Sequence, residues 1–353
     1  MKPKHLAIVI ALIALAWSGY WLVARARFIA ALDGEEAALP GRAIHLAYAR
    51  RQLGGFPFRL IATYDKAVVT GAGAGYGWGV RGDKVALIAQ PWNRHHVILH
   101  APDAQVALSL DWADGEGRLG GHSATMKAGT LQASLSSVPG RGPKRLSLVA
   151  SKVAGETTLF GIGPFTAADM ELHLRWPKPS AAKDEGLIEP IVLEPALRIA
   201  DVTLQGRALG ALGPRLDSLI IDASLSGPAI PSREAAALAA WRDAGGTLDV
   251  PRLVLRWGPL EVTGSGTLAL DDALRPLGAL ALDAQGLDAA LATLEASNRI
   301  DGKAAELLRI TLQLLTERKA EAARTRVPVN IQEGIVSIGP VGIVRVGPAA
   351  MMR

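Results

Sequence analysis

Two periodicities divide this chain. Leu6–Val23, LAIVIALIALAWSGYWLV, is an apolar run of 18 residues without a charge. At ~1.5 Å per residue it predicts a helix of roughly 27 Å, close to the hydrocarbon thickness of a bilayer. The next segment, RFIAALDGEEAALPG (Arg27–Gly41), predicts a short helical continuation ending near Pro40-Gly41. Beyond it, apolar and polar residues alternate with period two, the signature of strands with one buried and one wetter face. The alternation predicts strands at Val106–Trp112, Arg145–Ala150, Met170–Trp176, Leu197–Gly206, Leu219–Gly227, Arg252–Trp257 and Leu260–Leu270. Gly-Pro pairs punctuate them at Gly163-Pro164, Gly213-Pro214, Gly227-Pro228 and Gly258-Pro259. GPFTAADMELHLRW, GPRLDSLIIDASLSG and GPLEVTGSGTLALD share a loose plan without strict spacing, so the pattern reads as stacked hairpins rather than a counted solenoid.

Helical spacing returns twice. Ser232–Ala244 predicts a short helix, with Ser232 as N-cap and Gly245-Gly246 as its stop. Residues 287–322 predict a longer helical segment, Leu287–Ile300 followed by Lys303–Ala322. In the second part Ala304, Leu307, Leu308, Leu312 and Leu315 share a face, and Ile310 and Leu314 widen it. So wide an arc suits a helix held against a curved sheet. The strands resume over Val327–Pro348, with Glu333-Gly334 as a hairpin turn. The fold class is therefore mainly β with helices (α+β): an N-terminal transmembrane helix, then a long curved antiparallel meander cradling a C-terminal helical segment. Residues 1–27 form the anchor or signal sequence, and 28–353 the β-rich domain.

The flanks of the apolar run refine its role. Lys2 and Lys4 precede it, Trp17, Tyr20 and Trp21 cluster at its far end, and Arg25 and Arg27 follow. Amphipathic rings favour the headgroup layer. A cleaved signal peptide would use Ala14-Leu15-Ala16, but bulky Trp17 follows at once, which favours an uncleaved signal-anchor. A short N-tail staying in the cytoplasm places the large body in the periplasm, on the outer side of an inner membrane. Net charge is +5, and the basic residues are scattered, so no nucleic-acid partner is expected. The absence of cysteine excludes disulfides, thiolate metal sites and cysteine nucleophiles.

The candidate chemistry is thin. In HHVILH, strand geometry puts His96 and His100 on one face and His95 on the other, with no zinc signature around them. Glycines at alternate positions of GAGAGYGWG (Gly71–Gly79) match neither the dinucleotide nor the P-loop spacing. As one strand they would present a bare face opposite Ala72, Ala74, Tyr76 and Trp78, which points to close packing. Asp271, Asp272, Asp283 and Asp288 sit where turns and caps are expected. No nucleophile elbow occurs. No enzyme activity, metal or cofactor is expected.

GGFPFRL (Gly54–Leu60) is the most distinctive short stretch. Pro57 biases Phe56 toward extended geometry, so Phe56 and Phe58 should point one way into the core and Arg59 the other, toward a carboxylate. These three are the candidate binding residues. Their first expected role is structural, and a lipid headgroup held by Arg59 is the ligand alternative. This motif, the N-terminal anchor, AQPWNRHHVIL (Ala89–Leu99) and VPVNIQEGIVSIGPV (Val327–Val341) together resemble a family of proteobacterial envelope proteins, domain of unknown function 2125. That resemblance implies a secreted or membrane-anchored protein and assigns no catalytic residue. LEVTGSGTLALDD (Leu260–Asp272) is more loosely similar to AsmA-like envelope proteins, which join a membrane helix to long curved sheets and are linked to outer-membrane assembly and lipid movement. The expected function is binding of lipid or another amphipathic ligand in an apolar groove, for envelope biogenesis or maintenance. The alternative is a structural scaffold contacting other envelope proteins.

Overall fold

The computed structural model describes residues 3–73, 75–113, 119–140, 142–158, 162–178, 190–205, 212–228, 230, 234–296, 302–317 and 325–349. Helix α1 runs from Pro3 to Ala38 without a break, joining the apolar run and its predicted continuation. A 3₁₀ turn at Pro40–Arg42 and Ala43 in the left-handed region (φ 55°) end it. Every strand after it belongs to one 16-stranded antiparallel sheet. The strands are β1 (Ile44–Ala47), β2 (Arg50–Gly54), β3 (Leu60–Gly73), β4 (Tyr76–Gln90), β5 (Asn93–Ala113) and β6 (Leu119–Val138). Next come β7 (Gly142–Thr157), β8 (Gly163–Arg175), β9 (Ile191–Leu204) and β10 (Arg215–Ser226). The last are β11 (Thr247–Trp257), β12 (Leu260–Leu270), β13 (Pro276–Gln285), β14 (Thr325–Gln332), β15 (Ile335–Ile338) and β16 (Val341–Arg345). From β3 onward each strand pairs with its sequence neighbour, and β1 and β2 both line the outer edge of β3. Among the described residues neither edge strand has a further partner, so the sheet does not close into a barrel.

Three helices interrupt the later strands. They are α2 (Ala235–Asp243), α3 (Leu287–Ala296) and α4 (Gly302–Glu317). The expected cap Ser232, and residues 297–300 and 318–322 of the predicted helical segment, lie outside the described residues. Glu234 occupies the N-cap of α2, and its side chain makes no capping bond. Gly-Pro pairs open β8, β10 and β12, with Gly163, Gly213 and Gly258 at φ 70°, 74° and 54°. They turn the chain at the same end of successive hairpins.

A crease crosses the first half of the sheet. Asp65 faces Lys84 and Ala67 faces Gly82, leaving Lys66 between ladder pairs. The same skip occurs at Asp103, Lys152 and Asp201. All four residues have left-handed backbone, φ 49–53°. The register is unchanged across each skip, so the facing strand passes over one residue as well, and the side-chain alternation of both strands shifts by one. Apolar positions therefore run Val97, Leu99, Ala101 before the crease in β5 and Ala104, Val106, Leu108 after it. Fully buried Ala101, Ala104 and Ala128 flank the crease on this face.

Candidate functional site

The first half of α1 is a bare apolar rod. Leu12, Ile13 and Leu15 stand 60%, 63% and 69% exposed, and the helix is long and apolar enough to cross a membrane. From Trp21 onward α1 packs on the sheet. Trp21, Ala24 and Phe28 are buried against Leu60, Ala62, Tyr64 and Ala67 of β3 and Ala89 of β4. At the changeover, two loops meet the helix. Indole N–H groups of Trp17 and Trp21 donate to the carbonyls of Pro57 and Arg59, both at 3.0 Å. The Tyr20 hydroxyl donates to the Pro91 carbonyl at 2.9 Å. Phe56 meets the Trp21 ring edge-on at 5.3 Å, and Trp17 lies 6.1 Å from both Phe58 and Trp92.

The candidate residues of GGFPFRL thus gather at α1, but not as an extended strand. Phe56–Phe58 form a turn, closed by the Arg59 N–H donating to the Gly55 carbonyl at 2.8 Å. Gly55 (φ 102°) permits it, since a Cβ there would sit 2.6 Å from the Arg59 oxygen. The rings are not in the core: Phe56 is 57% and Phe58 62% exposed. No carboxylate pairs with Arg59 among the described residues. The local pattern misled because Pro57 serves a turn as readily as a strand. Trp92, 55% exposed in the β4–β5 turn, joins this cluster and was missed. Its signal was a lone tryptophan after proline in AQPWNRHHVIL.

A polar clamp fixes the other end of α1. Arg51 on β2 pairs with Asp33 and Glu36, at 2.5 and 2.7 Å. The Tyr48 and Tyr64 hydroxyls donate to Glu36, at 2.9 and 2.8 Å. The hydrogen bond to Glu36 raises the Tyr48 phenol above its usual value. Burial first, then the same carboxylate, raises Tyr64 further.

The apolar face of the sheet is continuous. Register carries it from Leu87 through Leu99, Ala133, Leu148, Leu172 and Leu197 to Ile221 and Leu253. Gly264, Leu282 and Val327 continue it. Helix α1 covers one end. At the other, Leu291 of α3 and Ala305 and Leu308 of α4 are buried with Ala284, Val327, Val329 and Val341. Leu307 and Ile310 of α4 are exposed, so its apolar arc exceeds the face it buries. Helix α2 packs through Leu238 against Leu274 in the β12–β13 turn. The buried cluster between, on β6–β9, contains no helical residue. Beside it Leu148, Leu172, Leu197, Ile221 and Leu253 are only half-buried. The opposite face is polar, with Arg198–Asp222 (3.2 Å) and Arg326–Asp283 (3.3 Å) on it.

The other sequence candidates scatter. His96 meets Ser134 at 2.9 Å and His100 meets Gln132 at 3.3 Å on the polar face. Among the described residues no group of three His, Asp or Glu side chains could hold a metal. The glycine run is a hairpin rather than one strand: Gly71 faces Trp78 and Gly73 faces Tyr76. Each ring lies over its glycine, where a Cβ would come within 2.5 and 2.4 Å. Asp271 makes a turn, accepting from the Ala273 and Arg275 N–H groups at 2.9 and 2.8 Å. Asp283 lies within β13 rather than at a boundary, and Asp288 opens α3.

A family model described as an uncharacterized protein conserved in bacteria (DUF2125) matches residues 21–349, and the chain belongs to that family. The match begins at Trp21, the first α1 residue buried on the sheet. No curated protein matches the chain.

Proposed function

We propose that this member of an uncharacterised bacterial family is held in the inner membrane by α1, with its sheet in the periplasm. The apolar face of the sheet carries lipid or another amphipathic ligand for envelope biogenesis or maintenance, without chemistry of its own. One observation supports this most: the row Leu148–Leu172–Leu197–Ile221–Leu253 is apolar, only half-buried and, among the described residues, free of a covering helix, yet joined to the face on which α1 docks. An uncovered apolar strip of this length is a binding surface or an aggregation hazard unless something occupies it. The joining of a membrane helix to a long sheet is also the plan of AsmA-like proteins, a likeness of architecture.

A photo-crosslinking residue at Leu172, with a control at polar-face Glu171, tests this in cells. Lipid adducts at 172 and none at 171 are expected. A second reading, a scaffold for other envelope proteins, draws on the open edges of the sheet, which leave strand N–H and C=O groups unpaired. A photo-crosslinking residue at exposed Val344 on edge strand β16 that gives adducts to one protein, with no lipid adducts at 172, would establish it and remove the first.

A further inference from the structure

Lengths along α1 constrain how deep the sheet sits. The apolar run ends at Val23, but the two loops grip the helix at Trp17 and Tyr20. At ~1.5 Å per residue that is roughly 5–9 Å before the end of the run. If all of Leu6–Val23 spans the hydrocarbon, those loops are drawn below the bilayer surface with it. Their tips suit that place: Phe56, Phe58 and Trp92 are the exposed aromatics, and the Trp17, Tyr20 and Trp21 side chains bind loop carbonyls that lipid would leave unsatisfied. Beside them lies a cavity of about 420 Å³ between α1 and the β4–β5 turn, lined by Tyr20, Val23, Pro91 and Trp92 with Arg27 and Arg94. Arg27 stands four residues past Val23, roughly 6 Å further out, at headgroup level. Neither Arg27 nor Arg94 has a carboxylate partner among the described residues.

We infer that this rim is a membrane-docking site: Phe56, Phe58 and Trp92 sit in the interfacial layer, and Arg27 and Arg94 hold a phospholipid phosphate in the cavity beside them. The inference rests on α1 being a membrane span. It seats the sheet directly on the bilayer and opens the apolar face close to the lipid surface.

The chain has no cysteine, so single nitroxide labels need no background removal. The full chain is placed in nanodiscs of mixed phosphatidylcholine and phosphatidylglycerol, labelled through Phe58→Cys, Trp92→Cys, Leu12→Cys or Lys152→Cys. Labels at 58 and 92 should be relaxed more by membrane-dissolved oxygen than by an aqueous nickel chelate, with the reverse at 152. If 12 is in the bilayer while 58 and 92 behave like 152, the rim proposal is overturned and the anchor stands. If 12 is itself aqueous, both are lost. The pair Arg27→Gln and Arg94→Gln should move the label at 92 toward the aqueous side, and Arg94→Lys alone should not. An unchanged label in the Gln pair overturns the phosphate assignment.

Discussion

Trp21 carries two loads at one position. Its ring is buried where α1 meets β3, and its N–H satisfies the Arg59 carbonyl in the turn that starts that strand. Removing the side chain should cost about 3–5 kcal/mol, the usual loss for a buried aromatic. Trp21→Phe keeps most of the packing and loses one hydrogen bond, about 1 kcal/mol. Denaturant melts of the full chain in micelles, followed by near-ultraviolet dichroism, measure the difference. Equal losses for Ala and Phe would mean that the hydrogen bond, rather than the packing, holds the turn. The left-handed residues show a different economy. Lys66 and Lys152 each accept a backbone that disfavours a side chain by about 1–2 kcal/mol. They do so in line with Asp103 and Asp201, along one crease across the sheet.

At the scale of elements, α1 is fixed by the clamp around Glu36. Glu36→Ala leaves the partly buried Tyr64 hydroxyl without its acceptor, which costs about 1–3 kcal/mol. Both phenols are raised in the fold, so their stabilising effect is full below the unfolded value near ~10 and is lost as pH climbs from there through the raised folded values. In the Ala variant, absorbance at 295 nm should show Tyr48 titrating closer to ~10, while Tyr64 keeps the part of its shift that burial causes. An unmoved Tyr48 would show that Glu36 does not hold it. The elements themselves were largely legible. The helix boundaries at residue 287 and near 302, the strand Leu260–Leu270 and the Glu333-Gly334 turn follow from local pattern. The long strands β3 to β6 were harder, because the crease shifts alternation by one residue and breaks a strict count of two. The rim was least legible of all. Pro57 and Trp92 lie 35 positions apart in sequence and meet only because β3 and β4 form a hairpin under α1.

For the whole molecule, the question is whether the apolar face is one dry core or a surface that changes along its length. The two ends are closed by helices, and Leu308 of α4 is almost fully buried there. Among the described residues the middle row has no such cover. A Leu→Ala change measures the difference directly, since its cost grows with the burial lost and the cavity left. Leu308→Ala should cost about 2–5 kcal/mol. Leu172→Ala, half-buried on the middle row, should cost about 1 kcal/mol, because less apolar surface returns to water. The two variants should separate in a second way. Leu308→Ala lowers the unfolding midpoint and leaves lipid adducts at neighbouring Leu197 unchanged, whereas Leu172→Ala barely moves the midpoint and lowers their yield. If both substitutions cost the same, and adducts at 197 respond to neither, the middle of the sheet is as closed as its ends. The face would then be a core, and the open edges of the sheet would be left as its means of meeting other molecules.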